Sequence, residues 1–493
     1  MTATASSAST ETFSRADWLR GYESQTEERD YWIDDIEGEI PAELEGTVFR
    51  NGPGLLEIGG QSLHHPFDGD GMISAIAIRQ GRAYFRNRYV RTEGFLAEQK
   101  AGKILYRGVF GTQKPGGWLA NIFDLGLKNI ANTNILYWGD RLLALWEAAE
   151  PHRLDPQTLE TVGLDRLDGL LADGDPFSAH PRIDPGSERT GSQRRLVNFA
   201  VKTGPSSKIR LYEFDESGHC VEQQERVIPG FAFLHDFALT PNYAIFFQNP
   251  IRFNPLPALL GQRTAGQCLA SDRNKSTQIL VIPRDPKAPL QTFETESCFV
   301  FHHANAFETA DGAIVVDSVC YDEFPMLEPD RNFKEVDFDS YPRGELFRFT
   351  LHPGQPRAER KLLESRTCEF PTQHPRTVGQ DARYYYIGAA AAPTGNAPLQ
   401  SLLKIDLETG DRKLWTVAPR GFIGEPLFVP RPGGIAEDDG WVLSLIYDAA
   451  RHSSALVILS AQTLEPLARL NLKQHIPYGL HGCFTPQYFG PED

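Results

Sequence analysis

Short apolar runs separated by polar turns dominate the chain: LVNFAV, YAIFFQ, QILVI, AIVVDSV, YYYIGAA, VLSLIY and ALVIL. They are rich in β-branched and aromatic residues and are bounded by Gly, Pro, Asp or Asn, which predicts strands. Helical periodicity is weak outside a segment near 14–30 and another at 117–130. Strand–turn–strand units recur at AIRQGRAYF (77–85), HRLDPQTLETV (152–162), YEFDESGHCVE (212–222) and VIPRDPKAPLQTF (281–293). Three more follow at FTLHPGQPRAERKL (349–362), KIDLETGDRKLW (404–415) and VILSAQTLEPLARL (457–470). Seven such hairpins, roughly evenly spaced, are the signature of a β-propeller, in which four-stranded blades surround a channel. Two β-sandwiches in tandem are the alternative, but no linker-like stretch divides the chain.

Composition narrows the class. The 493 residues carry a formal charge of −16, with Lys and Arg scattered, so no basic stripe exists for nucleic acid. Plentiful Gly (43) and Pro (35) suit many tight turns. Six cysteines stand far apart with no C-x-x-C pair, which argues against thiolate zinc and fits a reducing cytoplasm. Residues 1–13 are small and polar and are expected to be disordered, leaving 14–493 as one domain. No signal peptide and no long uncharged apolar run is visible.

The chemistry lies on the same ruler as the hairpins. His180, His235, His302, Glu369, Glu425 and His481 step by 55, 67, 67, 56 and 56 residues, each in an apolar frame. Equivalent positions of successive blades converge on a propeller axis. Imidazoles buried there would leave polar nitrogens unpaired unless they share a ligand. A divalent transition metal is the fitting one, since imidazole suits Fe, Cu, Zn and Ni. Carboxylates behind such ligands would accept the distal N–H, and Glu147 in ALWEAAEP is a third candidate for that role beside Glu369 and Glu425. His374, His64 and His65 are rivals that spacing does not remove. Of the doublet His302–His303, strand geometry lets only one face the axis. The D-x-D-G of HPFDGDGM lacks the later ligands of a calcium loop and reads as a structural turn.

Six motifs, FRNGPG (49–54), HPFDGDGM (65–72), FLHDFALTPNY (233–243), FHHANAFE (301–308), CEFPTQHP (368–375) and LHG (480–482), together resemble the carotenoid cleavage oxygenase family. The likeness runs from about residue 15 to 486, and DWLRGYESQ, KAGKILYRGVFGTQ, KNIANTN and GNAPLQ bring it nearest to members that cleave apocarotenoids. The resemblance implies an all-β, seven-bladed propeller with a dome of loops and short helices over an axial Fe2+. It implies His180, His235, His302 and His481 as the iron ligands, with His303 on the other face. Glu147, Glu369 and Glu425 then stand behind the ligands. It further implies O2-dependent cleavage of the 15,15′ double bond of an apocarotenoid, giving retinal and a shorter dialdehyde. Tyr22, Phe67, Phe110, Thr133, Trp146, Phe233, Phe301 and Leu399 would face the substrate tunnel or the iron.

A polyene is long and apolar, so an aromatic-lined tunnel is expected. WLANIFDLGLKNI (118–130), with a helix-like stripe of Leu119, Ile122, Phe123 and Ile130, and IRFNPLPALLG (251–261) are expected to touch a membrane surface. The expected partners are thus an apocarotenoid, O2 and a membrane surface, with no nucleic acid, for a monomer that is cytoplasmic or peripheral on a membrane. Two competing readings keep the fold: cleavage of a stilbene, which would need Tyr and Lys groups for its phenol, and a non-catalytic carotenoid-binding propeller.

Overall fold

The computed structural model describes residues 13–124, 126–326 and 331–492. Seven antiparallel sheets form a seven-bladed β-propeller. In chain order the first strands of blades one to five are Asn134–Trp138, Arg182–Asp184, Ala238–Leu239, Phe299–Glu308 and Cys368–Thr372. Blade six begins with Gly421–Ile423 and Leu427–Pro430. Blade seven joins the two ends of the chain: Gly482–Thr485 pairs antiparallel with Gly46–Leu55, so the last strand closes the ring on one of the first. First strands of neighbouring blades touch one another, which places them innermost.

All seven sequence hairpins join neighbouring strands in the outer part of a blade; five are the outermost pair, and those at 77–85 and 457–470 carry one further edge strand, Asp30–Trp32 and Ile36–Gly38. The unit at 212–222 joins Ser206–Phe214 to Cys220–Pro229, and the unit at 404–415 joins Ser401–Asp406 to Arg412–Thr416. Burial explains why these hairpins carry the visible pattern. Outer strands such as Cys220–Pro229 alternate between half-buried and exposed residues, whereas Ile314–Tyr321 and Gly46–Leu55 are buried throughout between blades. A strand covered on both faces has no alternation to read.

Loops and short helices cover one end. The segment near 14–30 is helical only over Arg15–Arg20. A nine-residue helix, Glu93–Ala101, was not anticipated; Thr92 caps it by accepting from the Phe95 N–H, and Gly102 ends it at φ 60. The expected stripe at 117–130 is not one helix. Only Trp118–Asn121 turns, and Phe123 then takes φ 56. The Arg107 guanidinium donates to the carbonyls of Asn121 and Asp124, which a continuing helix would have needed. Residues 1–12 of the expected disordered terminus lie outside the described residues, and Phe13 packs edge-on against Phe338.

Candidate metal centre and tunnel

The ruler of ionisable residues is a ring. His180 precedes the innermost strand of blade two, His235 that of blade three, and His302 lies within that of blade four. Glu369 lies within the first strand of blade five, Glu425 between the two of blade six, and His481 directly before that of blade seven. Blade one holds Thr133 at this place, 47 residues before His180, which is why the series seemed to begin one blade late.

One ring nitrogen from each of His180, His235, His302 and His481 lies within 4.8 Å of the other three. The Nε2 atoms of His180 and His235 are 2.9 Å apart. Nε2 of His302 is buried with no hydrogen-bond partner. That orphaned atom, among three other imidazoles, fits a shared cation and has no other explanation in the packing. Burial, and then the other three imidazoles, holds His180 well below its ordinary pKa, so it is neutral and able to donate its lone pair. Burial likewise lowers His481.

Carboxylates fix the rings from behind. His235 Nδ1 is 3.1 Å from Glu147 Oε1, His302 Nδ1 is 2.5 Å from Glu369 Oε2, and His481 Nδ1 is 2.8 Å from Glu425 Oε1. An ionised carboxylate only accepts, so each Nδ1 carries the proton and each Nε2 lone pair is freed towards the centre. Burial alone would raise all three carboxyls; the facing imidazoles outweigh it, and Arg50 helps bring Glu425 down to about 2. Glu369 in turn raises His302 above its ordinary value, against the effect of burial.

Local irregularities aim these groups. Pairing slips on either side of His303 in blade four, and between Glu369 and Thr372 in blade five, where Phe370 adopts φ 56. Bulges of this kind redirect a side chain at the cost of a ladder bond. His303 points away, its Nδ1 2.7 Å from the Ser318 hydroxyl and its ring 5.0 Å from Phe247. The rivals have other duties: His65 and His374 each accept a backbone N–H, from Phe67 and Arg376, and start a 3-10 turn. The D-x-D-G acids are structural too. Asp68 accepts the N–H groups of Val109, Phe110 and Thr112, and Asp70 pairs with buried Lys128.

Above the ring lies a cavity of about 190 Å3 whose wall includes Phe67, Phe110, Thr133, Trp146, Phe233 and Phe301 together with His235, His302 and His481. A second cavity of about 300 Å3, walled in part by Tyr22 and Leu399, shares Phe67, Tyr321, Tyr341, Phe370 and Leu480 with the first. Each of the eight residues expected to face the tunnel or the iron lines one of these two mainly apolar cavities. Sequence reasoning missed Tyr321, Tyr341 and Phe370. Tyr321 donates to Glu369 Oε1 at 3.0 Å and Tyr341 to the Pro325 carbonyl at 2.5 Å, so each hydroxyl proton is engaged within the protein. The Thr133 hydroxyl likewise donates to Asn132.

Comparisons with known proteins agree with this geometry. The family model described as RPE65, retinal pigment epithelial membrane protein, matches residues 22–486. The apocarotenoid-15,15′-oxygenase of Synechocystis sp. is 55% identical over 97% of this chain and 98% of its own. A carotenoid cleavage oxygenase of Mycobacterium tuberculosis is 30% identical over 92% and 93% of the two chains. The crystal structure of a cobalt-substituted Synechocystis ACO superposes with a TM-score of 0.95 at 54% identity, covering 97% of this chain and all of the other.

Proposed function

We propose, on the premise that the chain belongs to the RPE65 family of carotenoid cleavage oxygenases, that it is a non-haem Fe2+ dioxygenase cleaving the 15,15′ double bond of apocarotenoids with O2. The observation that carries the reading is the four convergent imidazoles at the end of an aromatic passage. His180, His235, His302 and His481 would hold the ion, and Glu147, Glu369 and Glu425 would fix their tautomers. A ferrous ion, when bound, supplies the activation of O2 that adds one oxygen to each alkene carbon, giving retinal and a shorter dialdehyde. The chain's own residues bind and orient. Phe67, Phe110, Phe233, Phe301 and Trp146 hold a flat polyene across the histidines and exclude water, while Tyr22 and Leu399 line the outer length. No acid or base is required, because no proton is transferred when a C=C bond becomes two C=O bonds. Residues 14–493 act as a single domain in this reading, which the closure of blade seven by both chain ends supports.

Against the stilbene alternative, no lysine stands on either cavity among the described residues, although tyrosines do, the unpartnered Tyr478 hydroxyl among them. The test is aerobic incubation of Fe2+-loaded protein with an apo-8′-carotenal, followed by chromatography with mass detection. Retinal formed with O2 and absent without it is the expected result. Other aldehydes would move the cleaved bond, and no cleavage by iron-replete protein would return the reading to stilbenes or to a binding propeller.

The substrate class implies contact with a membrane surface. No helix is long and apolar enough to cross one among the described residues. Instead Trp118, Leu119, Phe123 and Leu127 are exposed, as are Phe253 and Leu256 from the second apolar stretch. Phe123 donates its N–H to the Leu259 carbonyl, and Arg107 bonds the carbonyls of Asn121, Asp124 and Ala258, so the two stretches form one patch. An apolar patch of this kind suits insertion at a lipid interface by a protein that is cytoplasmic or peripheral. Leu119→Asp with Phe123→Asp should reduce vesicle co-sedimentation at least severalfold while turnover of detergent-solubilised substrate persists. Unchanged sedimentation would place the contact elsewhere.

A further inference from the structure

Three of the four histidines have a glutamate on Nδ1; His180 does not. Its closest carboxylate, Asp236, lies 3.9 Å from Nδ1, beyond hydrogen-bond range. Asp236 is buried and fully engaged elsewhere. Oδ2 accepts from Arg182 Nη2 at 2.5 Å and from the His303 N–H at 2.9 Å, and Oδ1 accepts the Phe237 N–H at 2.7 Å. Arg182 completes the knot by donating to the Phe237 carbonyl at 3.1 Å and the His303 carbonyl at 2.8 Å. Arg182 belongs to blade two, Asp236 immediately precedes the first strand of blade three, and His303 belongs to blade four. Each is one or two residues past a candidate ligand: His180, His235 and His302.

We infer that Arg182 and Asp236 are positioning residues for the four-histidine site, an ion pair between a half-buried guanidinium and a buried carboxylate that locks three successive innermost strands in register and anchors His180 in place of a glutamate. The inference rests on the metal reading above. Its physical basis is leverage: a shift of any one of the three strands must break a charge-assisted bond of the buried Asp236 carboxylate or of the guanidinium it holds. Arg182 also lines a cavity of about 440 Å3 bounded by the residues that follow the ring, Pro181, Pro371 and Gly482 among them.

The test uses full-length protein loaded with Co2+, whose visible absorption bands report ligand geometry. Asp236→Asn keeps the shape and removes the charge; Arg182→Met with Asp236→Leu removes both charges and leaves no orphan, an exchange that buried ion pairs often tolerate. Asp317→Asn is the control, since Asp317 is an equally buried partner of Arg348 in blade four, with two 2.8 Å bonds. Expected is Co2+ loss to a chelator faster by on the order of 10–100-fold with displaced bands in Asp236→Asn and in the double variant. The control should melt lower yet keep native bands. Native bands and native Co2+ loss in a folded Asp236→Asn or a folded double variant would overturn the proposal. So would failure of both to fold, because the pair would then serve the fold rather than the site. Wild-type protein that takes up no Co2+ would instead sink the metal reading, and the clasp with it.

Discussion

Replacing His302 with Ala should bring bound iron below detection and abolish cleavage, whereas His303→Ala should keep both. The two residues are adjacent, equally imidazole and both largely buried, so the contrast isolates direction. His302 presents an unpartnered Nε2 to three other imidazoles and holds Glu369 on its other nitrogen. Removing it takes away one of four donors and leaves Glu369 as a buried carboxylate facing only Tyr321 and the Phe370 N–H. His303 faces Phe247 and Ser318 in the body of the blade. Its truncation should cost about 1–3 kcal/mol through a cavity and a lost hydrogen bond, and its backbone N–H would still reach Asp236. Metal per chain by elemental analysis and a melting curve for each variant decide the matter. The reverse pattern would mean that the bulge in this strand had been read one residue out of step.

The fold was legible from its edges. Hairpins such as 212–222 and 404–415 sit on the outer rim, where one face meets solvent and the alternation survives. The innermost strands carried no pattern but carried the chemistry, and six ionisable residues at blade spacing stood in for it. The seventh position stayed hidden because Thr133 is neither acid nor imidazole. Long-range partners were equally invisible: nothing near Glu425 foretells Arg50, and nothing near Glu369 foretells Tyr321. The stripe at 117–130 misled for a definite reason. Its apolar spacing is helical, but Arg107 claims the carbonyls of Asn121 and Asp124, only Trp118–Asn121 turns, and the stripe splits, with Leu119 and Phe123 exposed and Ile130 buried. Conversely, Glu93–Ala101 escaped notice because Gly94 and a mixed polar surface blur its periodicity, although the Thr92 and Gly102 caps were there to be read.

Glu369→Gln should weaken iron retention on the order of 10–100-fold while the protein remains folded. The argument is one of proton inventory. In the native site both oxygens of Glu369 only accept: Oε2 from His302 Nδ1 at 2.5 Å and the Phe370 N–H at 2.6 Å, Oε1 from the Tyr321 hydroxyl at 3.0 Å. A glutamine offers one oxygen and one NH2. If the oxygen takes the place of Oε2, the NH2 meets Tyr321, whose hydroxyl can rotate to accept, and only the charge behind His302 is lost. If the NH2 takes that place, it donates to His302 Nδ1 and moves the ring proton to Nε2, which removes the lone pair from the centre. Both outcomes loosen the metal, the second far more. Glu425→Gln should be harsher still, because Arg50 donates to Glu425 Oε2 at 2.7 Å and would be left as a buried cation without its counter-charge. Glu147 has His235 alone as a side-chain partner and is more exposed, so its glutamine variant should be the mildest of the three. Chelator-driven iron release measured for the three variants, alongside their melting temperatures, checks the order. Equal rates in all three and in the wild type would make these carboxylates packing residues and return the orientation of the imidazoles to the backbone alone.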